Sequence, residues 1–587
     1  MKKLFVIAIG IGLTAVLAPA QQRTLHDFFD TFTADWIRQN PDQATATRFF
    51  TGDEQRRFER QLTPVTRAFQ LQRSALAKRG LAELATFDRA SLSDVDRTSA
   101  ELMEWQLQRF VDGETFLDYF FPFEQFGGVN LGLVTALTSS HPLVVASDVN
   151  NYVARLGQVA TRMNEAIDEA QRMAAAGRIP PRFILRLTIA QMQQFIGTPA
   201  SGNPYITVLA SKMEGIKDLS PAQRDSLKGE AEKIVSAEIY PAWRKAIAFL
   251  ESLVSRASDD AGLWRFDQGA AVYAYNLRRY TSTTLTPDQI HQIGLQQVAR
   301  LEKEMDEILR RLGRTEGSVK DRIARLKQDL AYPLTEDGRT TIMADVETLL
   351  RDAEKRATAL FDLKPKAPVI AQPFPRFQEV NAAANYTAPA PDGSRPGVFR
   401  IPLRPERMTK FGLRTLVYHE TVPGHHFQVA LDVENESLPR FRRLRAFGGI
   451  PALSEGWGLY AEKLAAEHGW YEGDLEGLLG QLDGELFRAR RLVVDTGIHA
   501  KHWTREQAID YGIEASEVER YVVNPGQACA YMIGQLKIIE LRDKTRAALG
   551  GKFSEKDFHT AVLRAGTLPL ELLERQIDAY IKRRQAA

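Results

Sequence analysis

Cysteine is nearly absent from this sequence, since Cys529 is the only one among 587 residues. A single cysteine excludes an internal disulfide, so side-chain packing must hold the fold together. Cys529 lies between two alanines. We therefore expect it to be a small buried apolar residue rather than a nucleophile.

A large excess of charge is also absent. The chain carries 76 basic and 74 acidic residues, with no long run of one sign. This balance favours neither a nucleic-acid partner nor a membrane surface, and it leaves the oligomeric state open. Linkers rich in proline, glycine or serine and internal repeats are missing too. We predict one domain over residues 21–587, with a helical part to about residue 365 and a metal-site part from about residue 366.

Long hydrophobic runs are confined to the start of the chain. Lys2 and Lys3 precede an apolar run from Leu4 to Leu17, and Ala18-Pro-Ala20 forms a small-residue cleavage site. This pattern predicts a signal peptide over residues 1–20, and the run is too short for a comfortable membrane span. No cysteine follows the site for lipid attachment. We expect a periplasmic or secreted protein without stable membrane insertion, and the alternative is an uncleaved anchor.

Apolar residues at spacings of three and four predict a mainly α fold. The N-terminal half contains several such amphipathic stretches: Leu25 to Asn40, Leu62 to Arg79, Asp94 to Phe110, Val149 to Ala176 and Pro181 to Phe195. Ser220, Thr286 and Thr504 begin capping patterns with a glutamine three residues later. Such stripes are far more often core than cofactor sites, so we assign them no ligand.

The stretch from Val369 to Leu403 has several prolines and few helix formers. Asp392-Gly393 separates two short segments that begin at Tyr386 and Val398, which is typical of a β-hairpin. Such a hairpin can present an edge strand to an extended peptide, and Tyr386 is then a candidate substrate-binding residue. A plain structural hairpin is the equally good alternative.

Residues 419–426 read His-Glu-Thr-Val-Pro-Gly-His-His. In the zinc-protease pattern His-Glu-x-x-His, two ligands four residues apart share one helix face, and the glutamate beside the first can hold a water. Here Pro423 occupies the fourth position, and the next histidines come six and seven residues after His419. On an unbroken helix His426 would lie about 10 Å along the axis, too far for one ion.

Pro423 and Gly424 offer a way to bring a histidine back. The proline has no N–H for the helix and its ring clashes with the preceding turn, while the glycine permits a sharp backbone excursion. A kink or bulge there returns His425, our first choice, or His426 to the side of His419. The alternative is a helix end that carries solvated histidines.

A zinc site needs a third protein ligand and an open position. Glu455 lies in the first turn of a predicted helix, thirty residues after His425. Its alternative role is only to complement the positive end of that helix. Farther on, Arg491, Asp495 and His499 share one helix face at i, i+4 and i+8. They predict either a set that binds a substrate carboxylate or an oxyanion, or a structural salt-bridge ladder.

Four blocks of sequence together resemble a known family. They are His419 to His425, Glu455 to Glu462, Arg491 to His499, and Pro525 to Gly534. This arrangement is similar to the bacterial family DUF885, whose members resemble helical zinc metallopeptidases of the angiotensin-converting-enzyme and thermostable-carboxypeptidase type. The resemblance implies a large helical fold with a deep central cleft and a small β-sheet, zinc, and peptide-bond hydrolysis. It also indicates Tyr531 as the hydroxyl that faces the scissile carbonyl.

These features predict an exported zinc metallopeptidase with a peptide substrate and one Zn²⁺ per chain. The predicted ligands are His419, His425 and Glu455. Two imidazoles and one carboxylate suit zinc better than magnesium, although manganese and cobalt fit the spacing too. The remaining predicted roles are Glu420 as general base, Tyr531 and His499 at the oxyanion, and His426, Arg491 and Tyr386 at the substrate. Two other classes stay open: a metal-dependent hydrolase of another amide or ester, and a helical binding protein without catalysis.

Overall fold

The computed structural model describes residues 23–586, except 375, 380–382, 391–392, 394 and 407. The predicted signal peptide lies outside this range. The described chain is mainly helical with one small sheet, as the sequence predicts. Within these residues, no helix combines the length and the apolar character needed to cross a bilayer.

The part before the sheet contains sixteen α-helices among the described residues. They are α1 Leu25–Arg38, α2 Pro41–Thr47, α3 Gly52–Phe58, α4 Arg67–Leu84, α5 Asp94–Gly113, α6 Val129–Thr138, α7 Ala146–Leu156, α8 Val159–Ala175, α9 Arg182–Ile196, α10 Pro204–Met213, α11 Pro221–Ile234, α12 Tyr240–Leu253, α13 Gly269–Thr281, α14 Pro287–Arg311, α15 Val319–Asp329 and α16 Glu336–Ala357. A π-helical turn over Val235–Ile239 joins α11 to α12.

The predicted helices are present, with two changes at their boundaries. The long stretch predicted from Val149 to Ala176 divides into α7 and α8 at Gly157. The helix predicted from Leu62 begins five residues later, after the N-cap Thr66. All three predicted capping boxes form, at the starts of α11, α14 and α23, the last over Arg505–Asp510.

The sheet has three strands in the order β1-β3-β2: β1 Val369–Pro373, β2 Asn385–Thr387 and β3 Gly397–Ile401. A short helix, α17 Arg376–Glu379, lies between β1 and β2. β2 and β3 pair antiparallel, which confirms the predicted hairpin. Asp392 of its turn lies outside the described residues, and Gly393 has φ +74°. The parallel pairing of β1 with β3 was not predicted.

The remaining helices follow the sheet and carry the candidate site. They are α18 Lys410–Glu420, α19 His425–Glu434, α20 Arg440–Arg443, α21 Pro451–Glu467, α22 Leu475–Ala500, α23 as given above, α24 Ala515–Val523, α25 Ala530–Leu549, α26 Glu555–Arg564 and α27 Leu570–Ala586.

Two hydrophobic cores join the N-terminal helices to this second part. In one, Phe32 and Trp36 of α1 pack against Phe447, which precedes α21. In another, residues of α13 and α14 pack with α22 and α25. The α21–α25 contact is close enough to require glycine, because a Cβ on Gly534 would lie 1.8 Å from the carbonyl oxygen of Ala452. The shared cores fix the N-terminal helices against the helices of the site.

Candidate metal centre

The metal motif is divided between two helices. α18 ends at Glu420, α19 begins at His425, and the four residues between them form a turn with a cis Val422–Pro423 peptide bond. A Cβ on Gly424 would lie 2.0 Å from the carbonyl oxygen of His419, so only glycine fits there. The predicted interruption is therefore present, as a complete break rather than a bulge.

The break brings His425 beside His419. Their ring centroids are 4.6 Å apart and the rings are nearly perpendicular. His419, Glu420 and His425 form a buried group whose donor atoms lie within 4.8 Å of one another. This is a candidate metal-binding group, and His425 is the second histidine in it.

Glu455, near the start of α21, completes a three-donor arrangement. Its Oε2 lies 3.5 Å from Nε2 of His419 and 3.5 Å from Nε2 of His425. Both distances exceed the usual range of an N–H···O hydrogen bond. Ligands at the corners of a zinc tetrahedron with bonds of about 2.0–2.1 Å are separated by about 3.3 Å. The two distances from Glu455 Oε2 are thus closer to a ligand–ligand separation around a shared ion than to hydrogen-bond lengths.

Glu462, two turns after Glu455 on α21, fixes the orientation of His419. Its Oε1 lies 2.7 Å from His419 Nδ1, and the carboxylate is almost fully buried. This contact leaves Nε2 of the same ring directed towards Glu455. A carboxylate behind a metal-binding histidine is a frequent feature of zinc sites, because it fixes the ring and raises its basicity. Glu462 was not a predicted site residue, although its i+7 spacing from Glu455 places both on one helix face.

Two neighbours of these glutamates shape the space for His419. A Cβ on Gly458 would lie 2.6–2.9 Å from the His419 ring atoms, so glycine lets the ring lie against α21. Trp457 Nε1 donates to the carbonyl oxygen of Pro423 at 2.9 Å. Within the Gly-Trp-Gly sequence of α21, Trp457 therefore fixes the turn by its hydrogen bond, and Gly458 leaves room for the ring of the first histidine.

The titration of the group reflects burial opposed by close partners. Burial disfavours the charged imidazole of His419, but Glu455 and Glu462 together raise its pKa to about 9. Burial would raise the pKa of Glu455, but contacts with both histidines lower it well below its usual value. Burial raises the pKa of Glu420, and the neighbouring histidines only partly oppose this. His419 and Glu455 thus favour opposite charges, and binding of a cation would require His419 to lose its proton.

Arg488 of α22 is a cation near this group that no sequence motif indicated. Its Nη2 lies 4.0 Å from Glu462 Oε1, and its charge lowers the pKa of Glu420. Nη1 donates to the carbonyl oxygen of Gly484. Arg488 therefore offsets part of the negative charge of two buried glutamates.

His426 turns away from the metal group. Its Nδ1 hydrogen-bonds with the Tyr386 hydroxyl at 2.9 Å, and a Cβ on Gly397 would collide with both groups. His426 is buried, and burial lowers its pKa to about 4. Two of the three predicted substrate-binding residues thus contact each other, and their pairing connects α19 to the sheet.

Arg491 is buried among aromatic rings and polar partners. Its guanidinium lies 4.6 Å from the Tyr531 ring centroid, and it donates to the Tyr521 hydroxyl and to Glu517. Nη1 is buried and has no hydrogen-bond partner among the described residues. Tyr531 is the second residue of α25, which runs parallel to α21: Gly534 contacts Ala452, and Arg542 pairs with Glu467 farther along. Tyr531 therefore lies level with the first turn of α21.

The predicted ladder through Asp495 and His499 is not formed. Asp495 accepts a hydrogen bond of 2.6 Å from the hydroxyl group of Tyr273, which is a residue of α13. His499 accepts at Nδ1 from the backbone N–H of Leu263 and donates from Nε2 to the carbonyl oxygen of Tyr521. Residues from other parts of the fold thus supply the hydrogen-bond partners of Asp495 and His499, which the spacing along one helix does not predict. Neither ring nitrogen of His499 remains available to a substrate.

Sequence comparison agrees with the four-block resemblance. The family of bacterial proteins of unknown function DUF885 matches residues 41–577, which is nearly the whole chain. The chain belongs to DUF885. No curated protein matches the sequence.

Two solved structures are similar to this DUF885 chain over most of its length. One, described as "the putative lipoprotein from Colwellia psychrerythraea", is 31% identical with a TM-score of 0.90. The match covers 96% of this chain and 100% of that one. A second, from Shewanella oneidensis, is 19% identical with a TM-score of 0.70 and covers 94% and 99%. The second likeness concerns the fold alone.

Proposed function

We propose that this DUF885 member is an exported zinc-dependent peptidase. The observation that carries the proposal is the position of Glu455 Oε2, at 3.5 Å from Nε2 of both His419 and His425. Two imidazole nitrogens and one carboxylate oxygen match the donor set of catalytic zinc sites, which keep one position open. The carboxylate of Glu462 behind His419 supports the same interpretation.

The ion would be held by His419, His425 and Glu455, one per chain. A bound zinc ion supplies Lewis acidity, which lowers the pKa of a water and polarises a carbonyl group. Zinc is preferred to magnesium because two of the three donors are imidazoles.

Glu420 is the proposed general base. It follows the first histidine directly and lies within the same buried group. In this role its carboxylate takes a proton from the attacking water and delivers that proton to the leaving amine. Burial raises its pKa above the usual value, which brings the carboxyl closer to the range where it can both accept and return a proton.

Tyr531 is the proposed hydrogen-bond donor to the carbonyl oxygen in the transition state. Its position beside the first turn of α21 and the adjacent Arg491 guanidinium support this role. A donor aimed at the developing negative charge stabilises the transition state more than the substrate. His499 is omitted from this role because both of its ring nitrogens already have partners.

The location of the enzyme is proposed to be the cell envelope. Both similar structures are of proteins described as putative lipoproteins, and this chain has the Lys-Lys, apolar and Ala-Pro-Ala pattern of a signal peptide. Lipid attachment needs a cysteine just after the cleavage site, whereas the only cysteine, Cys529, is fully buried near the other end of the chain. We therefore propose that the mature protein begins near Gln21 without lipid. N-terminal sequencing of the exported protein tests this start site.

A Glu420→Gln variant tests the proposed mechanism. The amide preserves size and leaves the three proposed ligands in place, so zinc content should be unchanged while peptide hydrolysis falls by a factor of about 10² to 10⁴. Elemental analysis and mass spectrometry of a peptide library before and after incubation provide the two measurements.

Activity within about threefold of the parent at full zinc content would exclude Glu420 as the base. A parent protein that holds zinc and cleaves no peptide, but hydrolyses other amides or esters, would replace the peptidase proposal with the wider hydrolase class. Binding of peptides without any turnover would identify a binding protein.

A further inference from the structure

A cavity of about 600 Å³ lies between the N-terminal helices and the loop that leads into α21. Its size falls within the range of pockets that hold small ligands. Six aromatic side chains contribute to its walls: Trp105, Phe110, Phe120, Tyr275, Tyr280 and Phe447. None of the residues of the proposed zinc site lines it.

The cavity is nevertheless next to the metal centre along one helix. Its floor includes Pro451, the first residue of α21. Pro451, Ser454 and Glu455 are the partly accessible residues of the first turns, and their spacing places them on one face. Four residues of helix span about 6 Å, so the cavity floor and Glu455 are about one turn apart on a shared accessible face.

Part of the cavity wall is already electrically neutral. Asp118 accepts two hydrogen bonds from Arg172 and one from Arg67, and Glu169 accepts another from Arg172. These two carboxylates therefore balance the two arginines on that side.

The two other arginines of the lining, Arg109 and Arg279, add positive charge that no acidic residue of the lining balances. Arg109 and Arg279 lie close enough to Tyr275 for both charges to act on its hydroxyl group. Arg109 pairs with Asp112 at 2.7 Å, whereas Arg279 is exposed and has no salt-bridge partner within the described part of the chain. The N-terminus of α21, which no side chain caps, adds a partial positive charge at the floor.

We propose that this cavity is the substrate chamber of the metal centre and selects peptides that carry a carboxylate next to a large apolar side chain. The aromatic walls bury the apolar side chain, and Arg279, assisted by Arg109, binds the carboxylate. The carboxylate is either the peptide C-terminus or an acidic side chain. This inference rests on the proposed peptidase function, because it assigns the bound group to that substrate.

Peptide binding to the Glu420→Gln protein tests the chamber without turnover. The probes are acetyl-Ala-Phe-Glu and acetyl-Ala-Phe-Gln, each with a free and an amidated C-terminus, and calorimetry measures their dissociation constants. We expect the carboxylate that the chamber selects to tighten binding about tenfold or more. Comparison of the acid and amide pairs distinguishes the terminal from the side-chain carboxylate.

Arg279→Gln in the same background should remove this preference. The matched control is Arg186→Gln, which removes one exposed positive charge on α9, outside the cavity, and should retain the preference. Arg279 is on the surface, so the variant should fold. Arg109→Gln provides a second test of the same carboxylate subsite. A preference that survives in Arg279→Gln, or no difference among the four probes in the parent, overturns the proposal.

Turnover by the unmodified enzyme separates the two proposals. If the probes bind in a carboxylate-dependent way that Arg279 controls, but no probe or library peptide is hydrolysed, the chamber proposal stands and the peptidase proposal is rejected. If peptides are hydrolysed but their binding does not depend on a carboxylate, the peptidase proposal stands and the chamber proposal is rejected.

Discussion

At the scale of single residues, the centre combines close contacts with nearly complete burial. His419 contacts two carboxylates, Glu455 at Nε2 and Glu462 at Nδ1, and each contact uses a different ring nitrogen. The imidazole of His419 can therefore offer Nε2 as the proposed ligand atom while the contact at Nδ1 fixes the orientation of the ring. Arg488 is the nearby cation that limits the accumulated negative charge.

Glu462 should affect zinc affinity without being a ligand. In a Glu462→Gln variant the amide loses the charge that makes His419 a better donor, and zinc should bind about 10- to 100-fold more weakly. Competition with a chromophoric chelator measures the affinity. Glu472→Gln is the control, because it removes an exposed negative charge shortly after α21. Equal zinc affinity in the two variants would show that the contact with His419 does not tune the metal.

At the scale of elements, the break between α18 and α19 decides which histidine joins the centre. The turn over residues 421–424 places His425 in the metal group and directs His426 to the sheet, where it meets Tyr386. Two adjacent histidines therefore have different roles: His425 belongs to the metal group, and His426 contacts the sheet.

Alanine substitutions at these adjacent positions should have opposite consequences. His425→Ala should lose most of the zinc, because one of three proposed ligands disappears. His426→Ala should retain zinc and lose about 1 kcal/mol or more of folding stability, because a buried hydrogen bond to Tyr386 is removed. Elemental analysis and thermal unfolding of both proteins check this, and the reversed pattern of zinc content would reject His425 as the ligand.

The close approach of α18 and α21 gives a second prediction at this scale. Gly458→Ala places a Cβ 2.6–2.9 Å from the His419 ring, so the ring must move and zinc affinity should fall at least tenfold. Gly412→Ala is the control on α18, since a Cβ there meets nothing within 4 Å, and it should be neutral or slightly stabilising. Unchanged zinc affinity in Gly458→Ala would mean that the ring has room to adapt.

At the scale of the whole molecule, Asp495 connects the N-terminal helices to the site helices. It accepts from Tyr273 of α13 and from the backbone of Gly526, and it is fully buried in α22. Burial raises its pKa to about 7 from an ordinary value of 3.8, although both hydrogen bonds oppose the shift. The folded protein therefore binds a proton there that the unfolded chain releases at lower pH.

This difference predicts a pH-dependent stability. Between about pH 4 and 7 the folded state holds more protons at Asp495 than the unfolded state, so its contribution to stability falls as pH rises through that window. Asparagine does not ionise. The wild type should thus lose stability relative to Asp495→Asn between pH 5 and pH 8, as measured by the two thermal midpoints. A constant difference between the midpoints would contradict the assigned pKa.

The sequence alone determined the features that depend on neighbours along the chain. The capping patterns at Ser220, Thr286 and Thr504 form because a side chain and a backbone N–H three residues away meet whatever the rest of the fold does. Pro423 and Gly424 required an interruption for the same local reason. The hairpin followed from its Asp392-Gly393 turn between two short segments with few helix formers, and the four motif blocks sufficed to indicate the family.

Only the tertiary structure decided which distant residues meet. Helix spacing put Arg491, Asp495 and His499 on one face, but α13, α24 and the loop after it took up their hydrogen bonds, so the ladder did not form. Glu462 acquired its contact with His419 because α18 crosses α21 at Gly458, where no side chain keeps the helices apart. Such contacts join residues between 22 and 222 positions apart in the chain, which local periodicity does not encode.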